Sequence, residues 1–223
     1  MNGDRMTVFE AARAHMIESQ LRPNKVTDAR LLAAFSQIRR ELFVPQQLRA
    51  VAYVDEDLPF GGGRYLIEPM VAARLLQTLA VMPTDTALVV GAGTGYEAAL
   101  LGLLARAVAA LEEDAELARL ARAALVDHRI ASIKVVEGQL RDGCRASAPY
   151  DVILFGGAVP EVPQPIVAQL AEGGRLAAVV RAEGSVGRAT LTMRTGGGVA
   201  RRVIFDAATP LLPSLLPQPA FVF

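Results

Sequence analysis

One segment of the chain combines glycine spacing with strand and helix signals in a pattern suited to binding a small anionic ligand. The apolar run 87–90 is followed by Gly91, Gly93 and Gly95, and a helix-like stretch begins at Tyr96. This order predicts a strand, a tight turn and a helix N-terminus. Glycine allows a ligand to approach the main chain closely, and the amides at the start of the helix are expected to face an anionic group.

An acidic residue downstream extends this pattern to a nucleoside. Glu112 follows Gly91 by about 20 residues, at the end of the apolar run 107–111, which is where an acid at the tip of a second parallel strand binds ribose hydroxyls. The glycine order is G-x-G-x-G and not the G-x-G-x-x-G of dinucleotide sites. It resembles motif I of the S-adenosylmethionine-dependent methyltransferases, whose cofactor has no pyrophosphate and has a small carboxylate for the turn to hold. The alternative is a strand-to-helix turn that binds no ligand.

The composition excludes several classes of function. The chain has 223 residues, of which 52% are apolar, and its 23 basic residues balance its 23 acidic residues. One domain with an extension is expected, with no nucleic-acid partner, no membrane partner and no apolar stretch long enough to span a bilayer. The N-terminal residues lack the layout of a secretory signal, so a cytoplasmic location is expected. The sequence leaves the oligomeric state open.

Cysteine and histidine provide little chemistry. Cys144 is the only cysteine, which rules out an internal disulfide and a cysteine cluster for zinc, and no metal site is expected. It lies between Arg141 and Arg145, which can lower the pKa of its thiol, but an incidental thiol is the simpler interpretation.

The periodicity of apolar residues predicts an α/β fold. Residues 1–50 are predicted to be helical, residues 53–68 to form an ordered loop, and the proline-punctuated tail 210–223 to pack on the core or on a partner. Strands are predicted at 87–90, 107–111, 133–137, 150–155 and 175–180, helices at 96–104, 115–126 and 162–170, a helix C-cap at Gly173-Gly174, and an antiparallel hairpin at 189–194 and 199–205.

These elements predict a Rossmann-like, doubly wound, mostly parallel sheet with a C-terminal antiparallel hairpin and an N-terminal helical extension. We expect residues 1–80 to form the extension and a substrate loop, and residues 81–223 to form the cofactor-binding domain, packed as one unit.

With the order of elements laid out, the chain resembles the protein-L-isoaspartate O-methyltransferase family along nearly its whole length. The segments that carry the resemblance are Arg40–Pro45, Tyr53–Pro59, Gly91–Tyr96, Tyr150–Phe155, Ala158–Pro163 and Gly173–Leu176. The resemblance implies methyl transfer from S-adenosyl-L-methionine to the carboxylate of L-isoaspartyl residues in damaged peptides or proteins, a protein-repair activity. A carboxylate is already ionised at pH 7 and needs no general base, so the missing His, Cys or Lys catalyst is expected. Proximity alone can supply about 7–11 kcal/mol.

The substrate loop departs from the family pattern. The family usually has Gly-His-Gly-Gln-Thr-Ile-Ser-Gln-Pro where residues 61–69 are Gly-Gly-Gly-Arg-Tyr-Leu-Ile-Glu-Pro. The hydroxyl residue beside cofactor and substrate becomes Ile67, the threonine becomes Tyr65 and the histidine becomes Gly62. Arg64 or Tyr65 is expected to bind the substrate carboxylate instead, and Arg64 suits it better because its fork is bidentate. The alternative for Arg64 is a solvated loop charge.

The resemblance also implies a set of cofactor-binding residues. The family's acid at the adenine is Gln139 here, whose amide can both accept from the adenine amino group and donate to a ring nitrogen, unless it is a plain surface residue. The expected set is Gly91, Ala92, Gly93, Gly95 and Tyr96 at the methionine end, Glu112 at the ribose, and Gln139 with Leu140 at the adenine. Two other functions stay open: a methyltransferase with a different acceptor, and a catalytically silent homologue that binds the cofactor or altered proteins.

Overall fold

The computed structural model describes residues 7–182 and 184–217 and confirms the mixed, mostly parallel sheet. Seven strands lie in the order β5-β4-β3-β6-β7-β8-β9, and a separate two-stranded hairpin, β1-β2, precedes them. The strands β3 to β7 pair in parallel, whereas β8 and β9 are antiparallel. The strands are β1 (Leu58–Gly61), β2 (Arg64–Leu66), β3 (Thr86–Val90), β4 (Ala107–Glu112), β5 (Ile133–Glu137), β6 (Tyr150–Val159), β7 (Leu170–Val180), β8 (Arg188–Thr195) and β9 (Gly198–Asp206).

Helices flank the sheet and begin at residues that satisfy their free amides. Thr7 and Glu10 form a capping box at the first helix, and Asp28 and Asp114 cap two others through their side chains. The helices are α1 (Val8–Met16), which continues as a π-helical turn (Ile17–Leu21), α2 (Ala29–Gln37), α3 (Pro69–Leu79), α4 (Tyr96–Gly102), α5 (Ala115–Asp127) and α6 (Gln164–Val167).

Both faces of the central parallel strands β3, β4 and β6 are buried, as is typical of parallel sheets covered by helices. Alternate residues of β3 contribute to different clusters: Val89 joins a cluster that includes Met16 and Phe35 of the N-terminal helices, whereas Leu88 and Val90 join the cluster on the opposite face. The N-terminal helices therefore complete one of the two layers over the sheet. None of the helices in the part of the chain that the structure describes is long and apolar enough to cross a bilayer.

The structure corrects two predictions near the fifth strand of the parallel set. The helix predicted at 162–170 is confined to Gln164–Val167, because Leu170 already pairs with Tyr150 of β6 and the Tyr150 amide donates to the Gln169 carbonyl at 2.8 Å. Gly173-Gly174 lie within β7 and do not cap a helix. The pairing register with β6 shifts across these residues, and Gly173 has φ +75°, so the strand bulges here.

The predicted loop 53–68 contains the hairpin β1-β2, so the loop prediction is wrong for these strands. The turn between them consists of glycines with positive φ. The hairpin places Arg64 and Ile67 beneath it, where both are buried.

The C-terminal segment as far as residue 217 packs on the core. The Ala158 amide donates to the Pro210 carbonyl at 2.8 Å, the Leu212 amide donates back to the Ala158 carbonyl at 2.8 Å, and Leu212 is buried. The end of the predicted tail, residues 218–223, lies outside the described residues. The segment 207–217 thus lies along the end of β6, at the edge of the sheet where the glycine turn is found.

Replacing Gly156 by alanine tests the close approach of β6 to the glycine turn. A Cβ at Gly156 would lie 2.2 Å from the Gly91 carbonyl oxygen, so the backbone must shift, and we expect a loss of roughly 1–3 kcal/mol in the free energy of unfolding measured by chemical denaturation. Gly197→Ala is the control, since nothing lies within 4 Å of a Cβ there. Equal stability of the two variants would contradict this packing.

Candidate functional site

Glu112 ends β4 and its carboxylate is fully buried, at 0% exposure. The Oε1 atom accepts hydrogen bonds from Arg64 Nη1 at 2.8 Å and from the amides of Glu113 at 2.9 Å and Asp114 at 3.0 Å. The Oε2 atom accepts from Arg64 Nη2 at 2.8 Å and from the Gly93 amide at 2.7 Å. Five donors therefore converge on one carboxylate, which leaves it no free lone pair for a ribose hydroxyl.

Arg64 lies on β2 and forms a bidentate ion pair with Glu112, with only 5% of the residue exposed. The interpretation of Arg64 as a solvated loop charge is therefore wrong. The sequence predicted that Arg64 binds the substrate carboxylate. In this conformation its guanidinium is occupied by Glu112 and is not free to do so. Tyr65 is half-buried, and Tyr65 and Ile67 line a small cavity together with Arg64.

The amides of the glycine turn donate within the chain. Those of Gly91 and Ala92 donate to the Leu111 carbonyl at 3.0 and 2.9 Å, that of Gly93 donates to Glu112, and that of Gly95 donates to the Ala92 carbonyl at 2.8 Å. The three glycines have positive φ, as the turn requires. In contrast to the expectation from the sequence, these four amides are satisfied and do not face an open anion site.

Two apolar side chains, Phe60 and Leu212, cover the turn. A Cβ at Gly93 would lie 2.6 Å from Cζ of Phe60, and a Cβ at Gly91 would lie 3.1 Å from the Leu212 methyl carbons and 3.2 Å from Arg64 Nη2. The cavity lined by Arg64 and Leu212 has a volume of about 10 Å³, which is about the space of one water molecule. Side chains of the protein therefore fill the space directly above Gly91 and Gly93, whereas a separate cavity of about 350 Å³, lined by Phe60 and Thr94, lies beside the turn.

The remaining predicted cofactor residues differ in their exposure and in their contacts. Tyr96 points into the core, where its ring contacts those of Phe43 and Phe35 at centroid distances of 5.4 and 6.2 Å. Leu140 is buried, whereas Gln139 is exposed. The structure brings Arg64, Glu112 and the glycine turn together, and the amide of Gly138, next to Gln139, donates to the backbone carbonyl of Glu112 at 3.0 Å.

Sequence reasoning missed Phe60, Leu212 and the pair Gly156-Gly157. A Cβ at Gly157 would lie 2.8 Å from Leu212, so this glycine is what lets the C-terminal segment approach. The available signals were the two glycines that follow the apolar run of β6 and the two leucines between Pro210 and Pro213.

Arg40 anchors the hairpin from the opposite side. It is fully buried, and its guanidinium donates to the carbonyls of Ala52 and Ile67, each at 2.7 Å. The Thr94 hydroxyl of the glycine turn donates to the Phe43 carbonyl at 2.6 Å. The motif Arg40–Pro45 therefore connects the hairpin that carries Arg64 to the turn beneath it.

Carboxyl groups crowd around Arg40. Burial raises the pKa of Glu97 to about 7, with Arg40 opposing the shift, and one oxygen of this carboxyl has no protein partner. Burial also raises the pKa of Glu68 to about 7, helped by the negative charges of Asp57 and Asp55. Arg40 opposes both pKa shifts, and protonation of either carboxyl relieves its repulsion with Asp57.

The sheet order, the glycine turn at its carboxyl edge and the acid at the tip of β4 define a Rossmann-like methyltransferase. A family model for protein-L-isoaspartate(D-aspartate) O-methyltransferase matches residues 11–200. A protein-L-isoaspartate O-methyltransferase of Koribacter versatilis is 44% identical over 77% of this chain and 77% of its own length, and one of Methylorubrum populi is 40% identical over 83% and 87%. The chain belongs to the protein-L-isoaspartate(D-aspartate) O-methyltransferase family.

Solved structures support the fold. The solved structure of a protein-L-isoaspartate O-methyltransferase superposes with a TM-score of 0.78 at 23% sequence identity. The superposition covers 90% of this chain and 65% of the other chain. A Plasmodium falciparum protein of this description, in complex with S-adenosyl-L-homocysteine, gives a TM-score of 0.76 at 17% identity, covering 92% and 97%.

The family's methyltransferases use S-adenosyl-L-methionine, and the conformation described here does not fit this cofactor. Glu112, which is predicted to bind the ribose, has five donors already, the four turn amides are satisfied, and the cavity between Arg64 and Leu212, of about 10 Å³, is far below the several hundred Å³ that ligand pockets occupy. The glycine turn and Glu112 are nevertheless at the positions that the family pattern requires.

Replacing Arg40 by methionine should destabilise the protein by about 3 kcal/mol. The substitution removes two hydrogen bonds from a charged donor and leaves the carbonyls of Ala52 and Ile67 unsatisfied. The free energy of unfolding from urea denaturation measures the effect, and Arg39→Met, at the neighbouring exposed arginine, is the control. A loss no larger than that of the control would contradict the anchoring role.

Glu97→Gln should change how stability depends on pH. The pKa of Glu97 is about 7 in the folded state and ordinarily near 4.5, so the folded state binds the extra proton between these values. Stability therefore falls as pH rises from about 4.5 to 7 and is constant above. At pH 8 the variant should gain about 1–3 kcal/mol over the wild type, and at pH 4.5 almost nothing. The melting temperatures of the wild type and the variant at pH 8 and pH 4.5 measure this difference, and Glu56→Gln, at an exposed residue, is the control. An equal gain in stability at the two pH values would contradict the raised pKa of Glu97.

Proposed function

We propose that this chain is an S-adenosyl-L-methionine-dependent O-methyltransferase that acts on L-isoaspartyl carboxylates in damaged peptides and proteins, and that it works as a repair enzyme in the cytoplasm. The observation that carries the proposal is the family match over residues 11–200 together with relatives of the same description at up to 44% identity. The glycine turn and Glu112, both at the carboxyl edge of the parallel strands, support it.

The chemistry requires positioning more than acid–base catalysis. The substrate carboxylate is ionised at pH 7, and the bound cofactor supplies an electrophilic methyl group. The protein has to orient the two groups and exclude water from them. The hairpin β1-β2 is suited to this role, because it covers the glycine turn and its residues Arg64 and Leu66, together with Ile67 that follows it, are buried.

The occupied site favours a second candidate function. Phe60, Arg64 and Leu212 fill the space above the turn, which is what a catalytically silent homologue would retain if it bound altered proteins through another surface. Tyr65 and Ile67, in place of the family's hydroxyl residues, are also compatible with a methyltransferase that has a different acceptor.

Methyl transfer to matched peptides distinguishes these functions. We expect tritiated methyl groups from S-adenosyl-L-methionine to be incorporated into an isoaspartyl peptide and not into its aspartyl twin. Binding of the cofactor without transfer to either peptide would favour a different acceptor. Absence of both binding and transfer, in wild-type and Arg64→Gln protein alike, would favour the silent homologue.

In an Arg64→Gln background, where no arginine competes for the carboxylate, Glu112→Gln should weaken binding of S-adenosyl-L-methionine by about 1–3 kcal/mol, because the amide loses the charge that strengthens hydrogen bonds from ribose hydroxyls. The dissociation constant from isothermal titration measures the effect. Glu137→Gln is a matched control, since Glu137 lies opposite Glu112 in the register of β4 and β5 but is exposed to solvent. If the two variants bind equally well, the assignment of Glu112 to the ribose is wrong.

A further inference from the structure

We infer that Arg64 is an internal competitor of the cofactor, a residue that sets cofactor affinity by occupying Glu112. This inference rests on the proposed function, because it concerns the same site. It begins from the bidentate pair, in which both Arg64 terminal nitrogens lie 2.8 Å from the two oxygens of Glu112. The side chains of the pair are 6% and 0% exposed, so this is a buried contact and not a surface ion pair.

The first step concerns the hydrogen-bond acceptor sites of the Glu112 carboxylate. A carboxylate offers about four lone-pair sites, and Glu112 already receives three backbone amides in addition to the arginine fork. The amides belong to the turn and to the residues that lead into α5, and they cannot leave without unfolding these elements. Arg64 is the only one of these partners that is carried by a side chain, so a ribose can gain an acceptor only when Arg64 withdraws.

The second step concerns the space above the glycine turn. Nη2 of Arg64 lies 3.2 Å from a Cβ built at Gly91, so the guanidinium lies over the first glycine of the turn. Leu212 shares this space at 3.1 Å, and Phe60 occupies the position over Gly93. The arginine therefore blocks the turn as well as the carboxylate, and the two apolar side chains fill what remains.

The third step is charge. S-adenosyl-L-methionine carries a sulfonium cation, whereas S-adenosyl-L-homocysteine has a neutral thioether. In the closed pair the guanidinium cancels the charge of Glu112, whereas a Glu112 carboxylate without this partner attracts a nearby cation strongly, because the protein interior screens charge less than water does. Arg64 should therefore weaken the binding of both nucleosides by occupying Glu112, and should weaken the sulfonium compound further.

The test is isothermal titration of S-adenosyl-L-methionine and S-adenosyl-L-homocysteine into wild-type and Arg64→Gln protein. Glutamine is uncharged and has no bidentate fork. We expect the variant to bind both nucleosides at least tenfold more tightly than the wild type, with the larger gain for S-adenosyl-L-methionine. Without ligand, the variant should melt at a lower temperature than the wild type, because Glu112 loses its cation.

Arg175→Gln is the matched control. Arg175 pairs with Asp85 at 2.5 Å, near the end of the sheet opposite the glycine turn, so this variant also removes an arginine–carboxylate pair. We expect its affinity to stay within twofold of the wild type. If Arg64→Gln does not fold, Arg64→Lys carries the test: lysine keeps a cation but gives up the fork, and binding should be several-fold tighter than in the wild type.

The outcomes separate this inference from the proposed function. Affinity in Arg64→Gln equal to or weaker than in the wild type overturns the competitor role, even if the wild type transfers methyl groups. Tighter binding in Arg64→Gln supports the inference, even if neither protein methylates an isoaspartyl peptide, a result that would count against the function alone. If neither nucleoside binds to the wild type or to the variant, both the inference and the proposed function are overturned.

Discussion

The arrangement of the site depends on one buried carboxylate. Glu112 connects the tip of β4 to the glycine turn through Gly93, to the start of α5 through Glu113 and Asp114, and to the hairpin through Arg64. A buried charge requires a compensating partner, and loss of that partner is strongly destabilising. The contact that assembles these four elements is for this reason the same contact that closes the site.

Arg40 holds the other side of the same hairpin. Its hydrogen bonds to the carbonyls of Ala52 and Ile67 fix the strand that carries Arg64 to the N-terminal extension. A two-stranded hairpin is marginally stable by itself, so its position is determined by these two arginines and by the apolar contacts of Phe60. The extension and the sheet share one apolar cluster, and the extension therefore takes part directly in positioning the site.

The fold was largely predictable because buried parallel strands are continuous apolar runs; β3, for example, covers the predicted residues 87–90, all of which are buried. The prediction of a helix over 162–170 was wrong at its end because an apolar residue such as Leu170 suits a helix and a strand equally well, and only pairing with β6 decides between them. In the site, spacing along the chain located the glycine turn and Glu112. It gave no information on Arg64 as the partner, which lies 48 positions away, or on Leu212, because contacts over such separations are set by the fold and not by local pattern.

The charge of Glu112 limits which ligands can replace Arg64. A neutral nucleoside would take the carboxylate's hydrogen bonds but would leave its charge buried without a cation, which is costly. A cationic ligand, in contrast, restores a positive charge near Glu112 once the arginine has withdrawn. The apparent affinity then equals the intrinsic affinity reduced by the fraction of molecules in the open state. If Arg64 competes with the cofactor as inferred above, the Arg64–Glu112 pair sets the fraction of open molecules, and the charge of Glu112 favours a sulfonium compound over a neutral nucleoside.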